Sequence, residues 1–384
     1  MSRFFLLFIV YLTACGAGAQ TSALALSDSL YAVGKYAEAI KVASKSEASE
    51  ATFLKLAKYY KAGGDYQKAL ENYRKVLAEN PNRLLTVLDY GKLLMRSGNL
   101  PKADSLFSRL TEAYPKNASF QYQLGLIKEK QKDSTAMAHF FLVVSLDETH
   151  QAALYKLAKD ALRHRKYTLA EHFCQQGLET NPNNRSLLSI LAQTYSALQI
   201  YEKAIPQYER LLELGEESEF IYSKLAFAYY QIMEYKAAIH NYQQALTFED
   251  RNAATHYSLG KLYALTGDLE KSETHLLMSI LIKKQPVDAE FLSLALTYKE
   301  MEKYKDALEY LEKALEENPD NERAMYERAI AADNYFKDLE TRMNYYKAYL
   351  NKYDPKGNEG MIYLARNRVS DIKKEIHMAE KAKE

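Results

Sequence analysis

Histidines and paired carboxylates are the residues of this chain that could perform acid–base catalysis or bind a metal ion. The eight histidines are dispersed, and His164 and His172 lie on either side of a predicted turn, not at i and i+4 of one helix face. The pair Glu216 and Glu217 falls in a loop, where carboxylates are ordinarily solvated. The zinc-protease, P-loop, nucleophile-elbow and EF-hand motifs are all missing from the sequence. The sequence therefore predicts no catalytic residue, no metal site and no cofactor, and we interpret the chain as a non-enzyme.

Two cysteines are present, Cys15 and Cys174. Cys174 falls on the apolar face of a predicted helix and is interpreted as a small buried thiol. Cys15 ends the tetrapeptide Leu-Thr-Ala-Cys, which is similar to the lipobox of bacterial lipoproteins. That resemblance implies removal of residues 1–14 and attachment of lipid to Cys15.

The N-terminal segment has the composition of an export signal. Arg3 supplies a basic end, Phe4–Leu12 is wholly apolar, and Ala17-Gly18-Ala19 offers small residues for cleavage. The apolar run is far shorter than the ~20 residues of a membrane-spanning helix. We predict a signal peptide at residues 1–19, with the lipoprotein signal 1–14 as the alternative. A buried N-terminal helix is the third interpretation. Export predicts a location in the periplasm or at the outer-membrane periphery of a Gram-negative bacterium.

Composition argues against a nucleic-acid partner. The chain has 51 Lys and Arg against 50 Asp and Glu, so its formal net charge is +1. A nearly neutral chain creates no overall field that would attract nucleic acid or an anionic membrane. The 32 tyrosines and the absence of tryptophan suit a helical protein whose larger gaps are filled by tyrosine.

The stretch Glu50–Asn82 predicts two short helices joined by a tight turn. Apolar residues recur at i, i+3, i+4 and i+7 in its first half, Gly63-Gly64-Asp65 interrupts them, and a second apolar stripe ends at Asn80-Pro81. The same pattern returns about nine times, up to Asp354. A single hairpin of this size cannot bury both stripes, so the hairpins must stack on one another.

These residues resemble the tetratricopeptide repeat. Its pattern of 34 residues is met in the opening stretch by Phe53, Leu56, Ala57, Tyr60, Ala69, Tyr73 and Pro81. The resemblance implies an all-α fold, a right-handed α-solenoid of about nine to ten hairpins over residues 23–354. Residues 355–384 follow as a C-terminal capping helix, because one of its faces is apolar and the other charged.

The resemblance also implies a binding surface. In this family the second, fifth, ninth and twelfth positions of the first helices face a concave groove. Those positions give the predicted partner-binding residues Lys92, Tyr122, Tyr155, Lys159, Ser189, Gln193, Phe220, Phe227, Tyr230, Tyr257 and Lys261. Small polar side chains beside three aromatic ones predict an apolar anchor site between the fifth and sixth repeats. Packing of these aromatics against each other, and simple solvation of the lysines, are the alternative interpretations.

We interpret the chain as an exported scaffold that binds an extended peptide or a protein surface in its groove. Two alternatives stay open. One is an envelope assembly factor attached to the membrane through Cys15. The other is a carbohydrate-binding or enzymatic protein that uses the aromatic groove, since tyrosine faces also stack on sugars. The lysine, asparagine and arginine set that clamps a chaperone C-terminus in some members does not map onto this sequence.

Overall fold

The structure is a computed structural model that describes residues 23–284 and 286–381. In this part of the chain all regular structure is helical, in 21 helices, and no strand occurs. The prediction of an all-α solenoid of helical hairpins is therefore confirmed. The predicted signal peptide at 1–19 and the alternative lipidation site Cys15 lie outside the described residues.

The helices alternate between first and second members of a hairpin. In chain order they are α1 (23–32), α2 (Tyr36–Ala43), α3 (Glu50–Ala62), α4 (Tyr66–Glu79), α5 (Leu84–Arg96), α6 (Leu100–Ala113), α7 (Ala118–Lys130), α8 (Ala136–Leu146), α9 (Gln151–Arg163), α10 (Tyr167–Thr180), α11 (Arg185–Ala197), α12 (Tyr201–Glu213), α13 (Glu219–Gln231), α14 (Tyr235–Phe248), α15 (Ala253–Thr266), α16 (Leu269–Ile282), α17 (Asp288–Glu300), α18 (Tyr304–Glu317), α19 (Glu322–Tyr335), α20 (Leu339–Tyr353) and α21 (Glu359–Lys381). Odd-numbered helices up to α19 are first helices.

Local chemistry fixes the turn of the opening hairpin. Gly64 adopts a φ of 86°, a left-handed conformation that glycine adopts without steric cost. Asp65 then caps α4 by accepting a hydrogen bond from the Lys68 N–H at 3.1 Å. In later hairpins the same left-handed position is held by residues with side chains, among them Lys132 and Arg165, both with φ 58°.

Small residues allow the two helices of a hairpin to pack closely. A Cβ placed on Gly91 would lie 2.5 Å from Cε2 of Phe107, and one on Gly260 would lie 2.7 Å from Cγ of Leu276. Such contacts are too short for real atoms, so a larger residue would push the helices apart. These positions therefore belong to the scaffold and not to a site.

The chain divides into two compact units, the first ending at Pro182 and the second starting at Asn183. We call them the N-terminal unit (α1–α10) and the C-terminal unit (α11–α21). Pro206 lies inside α12, and the helix continues across it to Glu213. The division between the units therefore does not coincide with this proline.

The last helix covers the end of the C-terminal unit. Ile362, Ala365, Val369 and Ile372 of α21 are buried in a cluster with Tyr349. A salt bridge of 2.6 Å joins Arg368 of α21 to Asp333 of α19. The opposite face of α21 is exposed and carries charged residues such as Asp371 and Lys374 together with the apolar residues Tyr363, Leu364 and Met378.

Candidate partner-binding surface

Neighbouring first helices contact each other within each unit. In the N-terminal unit α5 contacts α7. In the C-terminal unit α15 contacts α17, and α17 contacts α19. Side chains that project from these helices, away from their second helices, therefore come together on one face. This is the face on which the predicted groove residues lie.

Two adjoining cavities open on this face of the C-terminal unit. The smaller one, about 120 Å³, is lined by Phe227, Tyr230, Tyr242, Tyr257, Ser258, Lys261 and Leu262. The larger one, about 640 Å³, is lined by Tyr230, Tyr257, Lys261, Ala264, Leu265, Leu276, Ala289, Leu292, Ser293, Leu296, Thr297, Glu300, Asn321 and Arg323. Because Tyr230, Tyr257 and Lys261 line both, we describe them together as the aromatic cavity. Its size suits one or two side chains of a bound segment.

Helical spacing places the aromatic residues of the cavity. Phe227 and Tyr230 are three residues apart on α13, and Tyr257 and Lys261 are four residues apart on α15, so each pair shares a helix face. The Ser293 hydroxyl donates a hydrogen bond to the Tyr257 hydroxyl at 3.2 Å, which joins α15 to α17. The wall of the cavity is thus fixed by contacts between successive hairpins.

The charges around the aromatic cavity are largely uncompensated. The Lys261 ammonium lies 5.5 Å from the centroid of the Tyr257 ring and forms no ion pair within the described residues. Arg323 approaches a carboxylate only at 3.9 Å, in Glu327. Glu300 at the end of α17 also has no cationic partner in the described part of the chain. Both signs of charge are therefore available to a ligand beside an apolar surface.

The pKa shifts found near this cavity and elsewhere in the chain do not create a reactive ionised group. Burial raises the pKa of the Tyr242 phenol above its usual range, so this hydroxyl stays neutral at physiological pH. Elsewhere burial raises the pKa of the Cys174 thiol to about 12, which makes it a poor nucleophile. Among the described residues no group of three His, Cys, Asp or Glu side chains could hold a metal ion.

The structure brings four of the predicted site residues together, namely Phe227, Tyr230, Tyr257 and Lys261. Phe220, from the same helix as Phe227, is 41% exposed and does not line the aromatic cavity. Ser189 and Gln193 also lie outside it, and they satisfy each other, because the Gln193 amide donates to the Ser189 hydroxyl at 3.1 Å.

In the N-terminal unit the predicted residues lie on α5, α7 and α9. Lys92 is exposed. Lys159 lies 5.7 Å from the centroid of the Tyr155 ring, and Tyr122 packs against Phe140 and His150. Neither lysine forms an ion pair within the described residues, so both cations are free for a partner.

The aliphatic half of the aromatic cavity was not among the predicted site residues. Ala289, Leu292 and Leu296 of α17 and Arg323 of α19 line it, yet none was predicted as a site residue. All four occupy the second, fifth or ninth position of their repeats, so the pattern already contained the signal. It was overlooked because alanine and leucine at helix positions are ordinarily core residues.

No helix within residues 23–284 and 286–381 is long and apolar enough to cross a membrane. This finding bears only on those ranges.

Four segments of the chain match family models. Residues 61–125, 155–219 and 289–321 match models described as tetratricopeptide repeat, and residues 234–267 match one described as TPR repeat. Together they cover about half of the chain, and each unit contains at least one.

Individual relatives are distant. The TPR repeat-containing protein YpiA of Bacillus subtilis is 25% identical over 67% of this chain and 62% of its own length. Lipopolysaccharide assembly protein B of Escherichia coli is 22% identical over 69% of this chain and 63% of its own length. The chain thus spans less than two thirds of both curated relatives. A crystal structure of the C-terminal part of a TPR repeat-containing protein from Cytophaga hutchinsonii has a TM-score of 0.51 at 16% identity, covering 57% of this chain and 88% of that one.

Proposed function

This chain is a tetratricopeptide-repeat protein, and we propose that it is a non-enzymatic scaffold of the bacterial cell envelope that binds an extended segment of a partner protein. The binding site is the aromatic cavity of the C-terminal unit. The matched family supports the scaffold role, because stacked repeats create extended surfaces suited to binding other proteins.

The aromatic cavity carries this proposal. It combines aromatic rings, aliphatic side chains and uncompensated charges, the composition of a surface that anchors an apolar side chain and orients polar neighbours. Phe227 is 42% exposed and Leu265 is 55% exposed, so apolar area lies open to solvent beside the cavity. Burying that area under a partner segment is favourable.

The charges define what the segment should carry. Lys261 and Arg323 favour a carboxylate near α15 and the start of α19, while Glu300 favours a cation near the end of α17. We therefore expect the preferred segment to contain one large apolar residue flanked by residues of opposite charge. A nucleic acid would leave Glu300 unpaired and the leucines unused.

Selection from a random peptide display library, with the full chain as bait, tests the site. We expect enrichment of this apolar and charged pattern. Phe227→Ala and Leu296→Gln should each weaken the selected peptides about 30-fold, corresponding to the ~2 kcal/mol of a hot-spot residue. Affinity can be measured by calorimetry.

Leu277→Gln is the matched control, because Leu277 is an exposed leucine on the second helix α16 and lines neither cavity. It should bind the peptides as the wild type does. Equal affinity in Phe227→Ala and Leu296→Gln, with helical content unchanged, would place binding elsewhere on the protein.

The envelope location rests on the N-terminal sequence. A basic residue, an apolar run and small residues precede Gln20, and one distant relative is a lipopolysaccharide assembly protein. Mass spectrometry of the protein from its native cell distinguishes the forms. A start at Gln20 indicates release, and a diacylglycerol-modified Cys15 indicates a lipoprotein. An intact Met1 would contradict export altogether.

The similarity to lipopolysaccharide assembly protein B also favours a second candidate, an envelope assembly factor attached through Cys15. That function requires attachment as well as binding. Partner recovery from the envelope should then fail in Cys15→Ala, while the purified Cys15→Ala protein still binds the selected peptides. Recovery that is unchanged in Cys15→Ala would leave the free scaffold as the better account.

A further inference from the structure

An exposed apolar stripe runs along the outer side of α8 in the N-terminal unit. Ala138, Phe141, Leu142, Ser145 and Leu146 lie on one face of this helix and are all exposed. Phe141 is 47% exposed and Leu142 is 39% exposed. Phe140 and Val143, on the opposite face, fill the core, so the outer apolar residues are not needed for packing of the hairpin.

The matched positions of neighbouring second helices are polar. The second helices α4, α6, α8 and α10 each have a buried alanine near their start, namely Ala69, Ala103, Ala136 and Ala170. Phe141 and Leu142 follow Ala136 by five and six residues. The same count gives Arg74 and Lys75 in α4, Ser108 and Arg109 in α6, and Gln175 and Gln176 in α10. Phe141 and Leu142 therefore expose apolar area at positions where the second helices α4, α6 and α10 carry charged, hydroxyl or amide side chains.

Four cations border this stripe. Lys130 ends α7 and Lys132 lies in the turn that follows it, while Arg165 and Lys166 lie in the turn before α10. Phe141 of α8 contacts Phe173 of α10 with ring centroids 5.7 Å apart. Because α9 packs against both α8 and α10 through short connections, the chain reverses direction at each step, and α8 and α10 run in the same direction. The two basic turns therefore lie at the same end of the stripe.

Nearby carboxylates do not neutralise these cations. Asp133 accepts hydrogen bonds from the N–H and the hydroxyl of Thr135 and faces Lys128 at 3.7 Å. Asp160 pairs with Arg163 at 2.5 Å. Within the described residues Lys130, Lys132, Arg165 and Lys166 form no ion pair, and all four are exposed.

From this arrangement we infer that the outer side of α8 docks the N-terminal unit onto an anionic membrane surface. Phe141, Leu142 and Leu146 enter the interface between headgroups and acyl chains, and the four cations contact lipid phosphates. An apolar helix face next to basic residues is the combination that binds helices in the plane of such a surface. This goes beyond the proposed function, because it uses neither the aromatic cavity nor Cys15.

The other occupants fit less well. A second copy of the same surface would bring four cations against four cations, which like-charge repulsion opposes. A nucleic acid would use the cations but not the aliphatic stripe. The C-terminal unit provides an internal comparison, because α16 exposes Leu277 and Leu281 in the same way but follows a turn that contains Asp268 and no cation.

Flotation of the full chain with lipid vesicles tests the inference. The probes are vesicles of phosphatidylcholine alone and of phosphatidylcholine with phosphatidylglycerol, at low and at physiological salt. We expect binding to the anionic vesicles that falls as salt rises. Every variant carries the same N-terminal segment, so any contribution of Phe4–Leu12 is common to all of them.

Glycine substitutions remove the charges without disturbing the turns. Lys132→Gly and Arg165→Gly each delete one cation at a left-handed position, where φ is 58° and glycine is the better residue. Each should lower partitioning into anionic vesicles about fivefold, since one basic residue near such a surface contributes about 1 kcal/mol. Gln199→Gly, at the matched left-handed position of the C-terminal unit, should leave partitioning unchanged.

Polar substitutions test the stripe itself. Phe141→Gln should lower partitioning about tenfold, and Leu146→Gln repeats the test at a side chain with no ring partner among the described residues. Leu277→Gln on α16 is the matched control and should have no effect.

Three results would overturn the inference. The first is failure of the wild type to bind anionic vesicles at low salt. The second is binding by Phe141→Gln and by Leu146→Gln that equals binding by the wild type. The third is a wild-type dimer, seen in sedimentation velocity, that the Phe141→Gln substitution dissociates. The last result would assign the stripe to an interface between copies of the chain.

Discussion

The second helices of the two units follow turns of different character. In the N-terminal unit the left-handed turn position before α8 and α10 is held by Lys132 and Arg165. In the C-terminal unit Gln199, Met233 and Glu302 hold it before α12, α14 and α18. The backbone is the same in all five cases, so the difference lies only in what is presented to solvent.

The faces formed by the first helices differ as well. The predicted surface of the N-terminal unit carries Lys92 and Lys159 without carboxylate partners, whereas the C-terminal unit forms the aromatic cavity. Inside the hairpins the units are alike, since Ala103 of α6 and Ala307 of α18 are both fully buried. The comparison teaches that stacking fixes the interior positions of a repeat, while exposed positions are free to acquire separate binding roles.

The largest expected effect tests the shared interior. Ala103→Phe and Ala307→Phe should each lower the free energy of unfolding by ~1–3 kcal/mol, because the added ring has no space between the helices of its hairpin. Urea denaturation followed by circular dichroism measures this. Glu309→Phe, on the exposed side of α18, is the control and should change stability by less than ~0.5 kcal/mol. A silent substitution in one unit would break the claim that the interiors are equivalent.

A second prediction concerns two pairs at matched places in the units. In the N-terminal unit Oε1 of Gln121 lies 3.0 Å from Nδ1 of His139. In the C-terminal unit Nδ1 of His256 lies 2.9 Å from Nδ1 of His275. Burial, with the charges of His256 and Lys271, lowers the pKa of His275 to about 4. Burial also lowers the pKa of His139.

A histidine whose pKa is lowered by folding destabilises the protein on acidification, because the unfolded chain takes up the proton first. We therefore expect stability to fall between about pH 6.5, the ordinary histidine value, and pH 4, the value for His275. The contribution of His275 should be about 1–2 kcal/mol, allowing for its partial exposure.

The substitution His256→Gln gives the C-terminal pair a glutamine and a histidine, as in the N-terminal pair. It removes one nearby cation at acid pH, so the pKa of His275 should rise and less stability should be lost between pH 6.5 and 4. Thermal unfolding at several pH values measures the change, with His240→Gln on the exposed side of α14 as the control. An unaltered pH dependence would mean that the two pairs do not differ as proposed.

The smallest expected effect concerns the lysines of the N-terminal unit. Lys92→Ala combined with Lys159→Ala should slow association with an acidic partner segment a few-fold at low salt, because exposed cations mainly steer encounter. Phe227→Ala should instead speed release. Lys305→Ala, an exposed lysine outside the first helices, is the control. Surface plasmon resonance separates the two rates, and slower release in the lysine variant would contradict the assigned roles.

Most of the fold could be predicted from the sequence, because the interior positions of each repeat require small or apolar residues at fixed spacing. Gly91 and Gly260 stand where a Cβ would collide, and tight turns follow Gly64 and Gly98. Where the pattern of one repeat is weak, the spacing of the adjacent repeats indicates where its helices begin and end.

The site was harder to predict because the residue type at an exposed position follows no repeat rule. Phe227, Tyr230, Tyr257 and Lys261 were identified by position, whereas Leu292 and Leu296 occupy equivalent positions and were left out because leucine in a helix is ordinarily a core residue. The α8 stripe was not predicted either. The repeat pattern assigns Phe140 to the core, but it does not say whether another element covers the outer residues Phe141 and Leu142, and the structure leaves both exposed.

Site-specific crosslinking in the native cell tests the central claim, that the aromatic cavity is where the partner binds. A photoreactive residue at Leu296, which lines the cavity, should capture one partner protein, and the captured peptide should contain an apolar residue flanked by charges. The same residue at Glu309, on the exposed side of α18, should not capture it. Capture of that partner at Glu309 and not at Leu296 would contradict the account.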